Sequence, residues 1–155
     1  MAGRTLTRRI TAEGIYGCLA IAVVCLAWEE DNLGALAAEI LVYAVALWLF
    51  HIYARVVYAG WRDRTLADML RWARHEWPHL EAALPALAIV LAGWAAGWDP
   101  VGTSDLALAL TLLNLLAWQV ALLRPGRPST AALIGTLAVD LTALAALIAL
   151  RLWIK

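Results

Sequence analysis

Charge is scarce in this sequence. Asp, Glu, Lys and Arg make up 15% of its 155 residues, against about a quarter in an ordinary soluble domain. The formal net charge is zero, so the basic excess that a nucleic-acid footprint needs is missing, and nucleic acid is set aside as a partner. Lysine is almost absent: eleven of the twelve basic residues are arginine and only Lys155 is lysine, a bias expected of a GC-rich genome. Cysteine is limited to Cys18 and Cys25. Seven residues apart on a helix, they stand about 10 Å apart along the axis, too far to bridge within the chain, and read as small packing residues. A small-x-small cleavage site is also missing after the first apolar run, which ends in "AWEEDN"; the run is expected to stay as a membrane helix rather than be removed as a signal peptide.

Apolar residues, by contrast, make up 64% of the chain, gathered in long runs between clusters of charge. Crossing a bilayer takes about 20 mostly apolar residues. Five segments qualify, roughly 12–28, 36–58, 79–98, 105–123 and 130–150. Trp28, Trp61, Trp77, Trp98 and Trp153 fall at or near their ends, where amphipathic rings favour the headgroup level. The expected fold is all-α, a single membrane domain over 1–155 built as an integral helical bundle, about five transmembrane helices with one amphipathic interfacial helix.

Orientation follows from arginine. Arg4, Arg8 and Arg9 precede the first segment, Arg55, Arg62, Arg64, Arg71 and Arg74 lie at the end of the second or beyond it, and Arg124 and Arg127 follow the fourth, while "EEDN" and "WDPVGTSD" carry no basic residue. The positive-inside rule then puts the N-terminus in the cytoplasm and the C-terminus outside, in the inner (plasma) membrane of a bacterium. The link over roughly 61–77 differs from the others. Leu66, Met69, Leu70, Ala73 and Trp77 recur at helical spacing, and Thr65 with Asp68 resembles a capping box with Asp for the usual Glu. It reads as a cytoplasmic amphipathic helix, lying in the interface or capping the bundle as a soluble helix.

Within "RHEWPHLEAALPAL", His75, Glu76 and His79 match the H-E-x-x-H pattern of zinc peptidases. That chemistry needs both histidines on one unbroken helix, with the glutamate polarising a water. Pro78 lacks an N–H, collides with the preceding turn and disfavours helical Trp77, yet suits the first position of a new helix. A helix boundary is therefore expected between the histidines. No catalytic residue, metal site or cofactor is assigned on this pattern.

Ionisable residues inside spans are costly and point to function by default. Counting 1.5 Å per residue from each midpoint, Asn114 and Asp140 fall near the bilayer centre, His51 and Tyr16 about 6 Å to the cytoplasmic side, and Glu13, Glu81 and Arg55 about 10–12 Å to that side. These seven residues form the expected polar network or transport path. Glu13, Glu81 and Arg55 can equally neutralise one another as structural glue, and Asn114 can hydrogen-bond Asp140. Asp140 lies too deep to reach water, so it is either protonated or beside a hydrated path. His51 offers an imidazole, a group type suited to passing protons or to ligating a metal with carboxylates, or to a simple hydrogen bond with a carbonyl or tyrosine. Gly14, Cys18, Ala22 and Cys25, and Gly93 with Gly97, make small-residue stripes that allow close helix approach within or between chains.

At "AEGIYG", "LFHIYARV" and "RHEWPHLEAALP" the chain resembles small polytopic membrane proteins of high-GC bacteria, a resemblance that implies no particular activity. Over the first two segments its layout is similar to the potassium channels of lysosomes and bacteria that carry R…F-S-D-G. Glu13-Gly14 stands where that motif has Asp-Gly, and His51 where those proteins have helix-two histidines. The Phe-Ser is missing and five segments replace six, so neither filter nor mechanism carries over. Three function classes fit: a proton or small-cation channel or transporter, a non-catalytic scaffold or partner-binding protein, and a metal-dependent membrane enzyme. The partners expected are the lipid bilayer, a small ion and, for the channel class, further copies of the chain in a homo-oligomer.

Overall fold

The computed structural model describes the backbone of residues 2–28, 32–59 and 65–123 and seven helical positions between 131 and 149, with side chains for all of these but residues 2–12, 59 and 121–123. Among the described residues every regular element is helical: α1 (Ala2–Ala27), α2 (Leu33–Ala59), α3 (Leu66–His75), α4 (Pro78–Ala96) and α5 (Pro100–Leu123). Three of them, α2, α4 and α5, are long and apolar enough to cross a membrane; in α1 the apolar stretch is the shorter Glu13–Ala27. The expected segments 36–58, 79–98 and 105–123 correspond to these three, 12–28 to the second half of α1, and 130–150 lies largely outside the described residues.

Local chemistry sets most of the helix ends. Asn32 caps α2, its Oδ1 accepting from Gly34 N–H at 2.9 Å and Ala35 N–H at 3.3 Å. The Thr65–Asp68 capping box expected for α3 is present in both directions. α4 starts with Pro78 at a position where no N–H is needed. α5 starts five residues before the apolar run suggested, because Asp99-Pro100 is itself a start signal: Asp99 Oδ2 accepts from Gly102 N–H at 2.7 Å and Pro100 opens the helix. α1 extends back from its apolar part as far as Ala2, with no proline in "AGRTLTRRIT" to interrupt it.

α1 and α4 occupy the middle of the bundle and pack against each other, with α2 and α5 on their flanks. The core between α1, α2 and α4 holds Ile21, Val24, Cys25, Leu36, Ile40, Ala83, Ala86 and Val90, all buried. Cys18, Ala82 and Leu115 form a second cluster where α1, α4 and α5 meet, and both cysteines are free and buried. The outward faces are apolar too: Leu41, Val42 and Phe50 on α2 and Leu113, Leu116 and Val120 on α5 are exposed. A bundle apolar inside and out suits lipid as its surroundings and not water.

The glycines serve different ends: Gly14, from the expected α1 stripe, lies on the Trp118 ring of α5, where a Cβ would stand 2.6 Å from it, and a further glycine of α1 faces α4. Gly17 lets α1 touch α4, since a Cβ there would stand 2.7 Å from the Ala82 Cβ and 3.1 Å from the His79 backbone. The Gly93/Gly97 pair is not a continuous helix-packing motif. Gly93 packs on Thr103 within the chain, whereas Gly97 has φ 67° and ends α4 in the left-handed conformation that favours glycine.

Candidate functional site

The polar side chains converge at one end of the bundle, where α1 enters its apolar stretch, α2 ends and α3 hands over to α4. The handover is two residues long. Pro78 does divide the H-E-x-x-H stretch, with His75 the last residue of α3 and His79 the second of α4. Trp77, however, is not driven out of the helical region: its φ and ψ are −53° and −34°. The break is absorbed one residue earlier, at Glu76 with φ −85° and ψ 1°. Glu76 N–H still donates to Trp72 O at 2.9 Å, and His79 N–H donates to Glu76 O at 3.1 Å. The chain therefore turns so tightly that Glu76 is folded into the bundle. The Trp48 indole N–H, donating to Ala73 O at 2.9 Å, holds α3 against α2 and keeps this junction in place.

Glu76 is 1% exposed and His79 is completely buried. The Arg55 guanidinium from α2 lies between two carboxylates. Its Nε–H donates to Glu76 Oε1, and its Nη2 donates to Glu13 Oε1 on α1 at 3.0 Å. His75 Nε2 stands 3.6 Å from Glu13 Oε1, and His79 Nε2 stands 3.4 Å from Glu76 Oε2. His51, one turn before Arg55, packs its ring on that of His79 at a centroid distance of 4.2 Å. Its Nδ1 is 2.8 Å from Leu47 O, so Nδ1 carries the proton in the neutral ring and Nε2 keeps a lone pair. Burial acts to raise the Glu76 pKa, but the His79 imidazole and Arg55 guanidinium outweigh it and hold the carboxyl below its ordinary value.

The ion pairs leave hydrogen bonding incomplete. Glu76 Oε2 is buried without a hydrogen-bond donor, and neither ring nitrogen of His79 makes a hydrogen bond. Buried polar groups of this kind are rare and call for an explanation. Glu13, His75 and Glu76 also bring one potential ligand atom each to within 4.8 Å of one another, a donor group that the sequence reading did not assemble.

The expected network is thus partly rearranged. Glu13 and Arg55 of the expected inner trio pair directly, while His51 meets His79. Glu81 does not join them: it is exposed on the first turn of α4, and Glu76 takes its place opposite Arg55. Tyr16 is 62% exposed, on the outer surface of α1. Asn114 binds one turn beyond His79, its Nδ2 donating to Ala82 O at 3.3 Å and to Cys18 Sγ at 3.5 Å. Asp140 lies outside the described residues. Glu76 and His79 had a signal in the sequence, their place in the H-E-x-x-H stretch, but judged only as a single-helix zinc motif the stretch was set aside whole. Compared with family models, curated proteins and solved structures, the chain matches none, so its function has to be read from this cluster.

Proposed function

We propose that this chain is a five-span protein of the bacterial inner membrane that binds and moves a small cation, with its N-terminus in the cytoplasm and the Glu13–Arg55–Glu76–His79 cluster at the cytoplasmic end. The arginine distribution supports that orientation. The exposure of Leu66, Leu70 and Trp77 beside Arg71 and Arg74 supports α3 as an interfacial helix. One observation carries the functional reading: His79 is completely buried, lies against His51, and makes no hydrogen bond through either ring nitrogen. A histidine kept only to join helices would be satisfied by a fixed partner. One whose Nε2 has only the Glu76 carboxylate 3.4 Å away, without a hydrogen bond, is suited to an exchangeable partner such as a proton or metal ion.

A second reading, a non-catalytic scaffold, has its own support in Arg55, which ties α1, α2 and the α3–α4 junction together. Flux separates the two. Proteoliposomes of the purified protein, loaded with a pH-sensitive or ion-sensitive dye, are expected to show cation flux above empty vesicles. His79→Gln and Asp140→Asn are expected to reduce it while the protein stays folded. Wild-type vesicles indistinguishable from empty ones leave the scaffold reading standing.

A further inference from the structure

We infer that Glu13, His75 and Glu76 form a binding site for a divalent transition-metal ion of the zinc type, with His79, beside Glu76, as a fourth donor drawn in when the ion binds. This deepens the cation reading by naming the class of ion, and as a cargo assignment it rests on that reading; the site itself does not.

The argument starts from distances. A tetrahedral ion with bonds of about 2.0–2.1 Å to nitrogen and oxygen keeps its ligand atoms about 3.3–3.4 Å apart. His79 Nε2 and Glu76 Oε2 are 3.4 Å apart, and His75 Nε2 and Glu13 Oε1 3.6 Å apart. A hydrogen bond would draw such pairs to about 2.7–3.0 Å, and the His79–Glu76 contact does not have hydrogen-bond geometry. Glu13, His75 and Glu76 each bring one potential ligand atom to within 4.8 Å of the others, so that closing on an ion takes only a small inward shift of the side chains. The second, independent observation is His79 itself, fully buried, with both nitrogens lacking hydrogen bonds and Nε2 directed at the oxygen of Glu76 that Arg55 does not use.

Donor type then selects the ion. Imidazole together with carboxylate suits zinc and its neighbours, whereas magnesium and calcium favour all-oxygen sets. Arg55 has two effects. Bonded to Oε1 of Glu76, it orients that carboxylate with Oε2 turned toward His79, as outer-shell partners of metal ligands do. Its positive charge also repels the ion, which makes the site exchangeable instead of permanently filled, as a transport site requires. The geometry differs from that of H-E-x-x-H peptidases. Glu76 acts here as a ligand and not as a base on a water, and the helix break at Pro78 is what folds it inward.

The test uses tag-free, metal-stripped full-length protein in detergent, with zinc chloride as the probe and magnesium chloride as the control. Calorimetry is expected to give one zinc ion per chain and no magnesium binding, and zinc but not magnesium should raise the thermal midpoint. Glu76→Gln, His75→Gln and His79→Gln should each weaken zinc binding at least tenfold with the helical circular-dichroism signal retained, while Asn114→Ala, outside the cluster, should bind as wild type does. Cobalt substitution of the wild type, read by its visible ligand-field bands, gives coordination number and nitrogen ligation even where a variant fails to fold. No zinc binding by the wild type, a cobalt spectrum of an all-oxygen octahedral ion, or unchanged affinity in the three folded variants overturns the site. Zinc bound without any flux keeps the site and removes the transport reading; proton or alkali-cation flux without zinc binding does the reverse.

Discussion

The two polar regions of the bundle differ in how their groups are satisfied. In the middle, between α1, α4 and α5, the groups are neutral and find close, fixed partners: Thr111 Oγ1 donates to Ala107 O at 2.8 Å, and Asn114 donates to Ala82 O and Cys18 Sγ. At the α3 end the groups are ionisable, gathered from α1, α2 and the α3–α4 junction, and hydrogen bonding is incomplete at Glu76 Oε2 and at both nitrogens of His79. Polarity in a bundle is therefore not one signal. A neutral group bonded across helices, as Asn114 is, holds them together at modest gain, whereas an incompletely satisfied ionisable cluster is a candidate place for something else to bind.

Substitutions can break this contrast. The largest effect is expected for Arg55→Gln, which leaves Glu13 and Glu76 without their shared counter-charge. Removing one member of a buried pair costs about 3–5 kcal/mol. Because the Arg55 side chain is 21% exposed, about 2–3 kcal/mol is expected, read by unfolding in mixed micelles; a loss no larger than that of Asn114→Ala would erase the distinction between the regions. Gly17→Ala comes next. Its Cβ meets Ala82 and the His79 backbone where the two regions adjoin, and overpacking of this kind should cost about 1–2 kcal/mol. It should also perturb zinc binding, by moving Glu13 on the preceding turn.

Asn114→Ala is expected to cost about 1 kcal/mol, the ordinary worth of an interhelical hydrogen bond in a membrane bundle, and to leave the cluster untouched. Calorimetry with zinc and the unfolding midpoint together check both halves of that statement. The smallest effect belongs to Glu81→Gln. Exposed on the first turn of α4, Glu81 should change stability by about 0.5 kcal/mol or less. A cost comparable to that of Arg55→Gln would return Glu81 to the inner trio in which its depth alone had put it.

That exchange of Glu81 for Glu76 shows where reading by position stops. Depth along a segment is legible, and it put Glu13 and Arg55, which pair at 3.0 Å, at one level. Rotation about the helix axis is not, because each residue turns the direction of its side chain by about 100°. Tyr16 and Glu81 sat at useful depths and face outward. Pro78 was rightly read as a helix start, but the break moved to Glu76 and Trp77 stayed helical. Glu76, at the turn with φ −85° and ψ 1°, has its carboxylate buried in the interior. The start of α5 was within reach of the sequence, since Asp99-Pro100 is a cap signal that the apolar count passed over.

By itself the sequence determined the all-helical class, the three helices long and apolar enough to span a membrane, the short helix between two of them and its capping box, and the division of the zinc-like stretch at Pro78. Each is decided locally, by apolar length, a capping side chain or a proline ring. Only the tertiary structure decided that Glu13, Arg55, His75, Glu76 and His79 meet. Their meeting depends on the rotation of α1, on its approach to α4 through Gly17, and on a two-residue junction held down by Trp48. Convergence of side chains from separate helices is set by packing, which no single segment encodes.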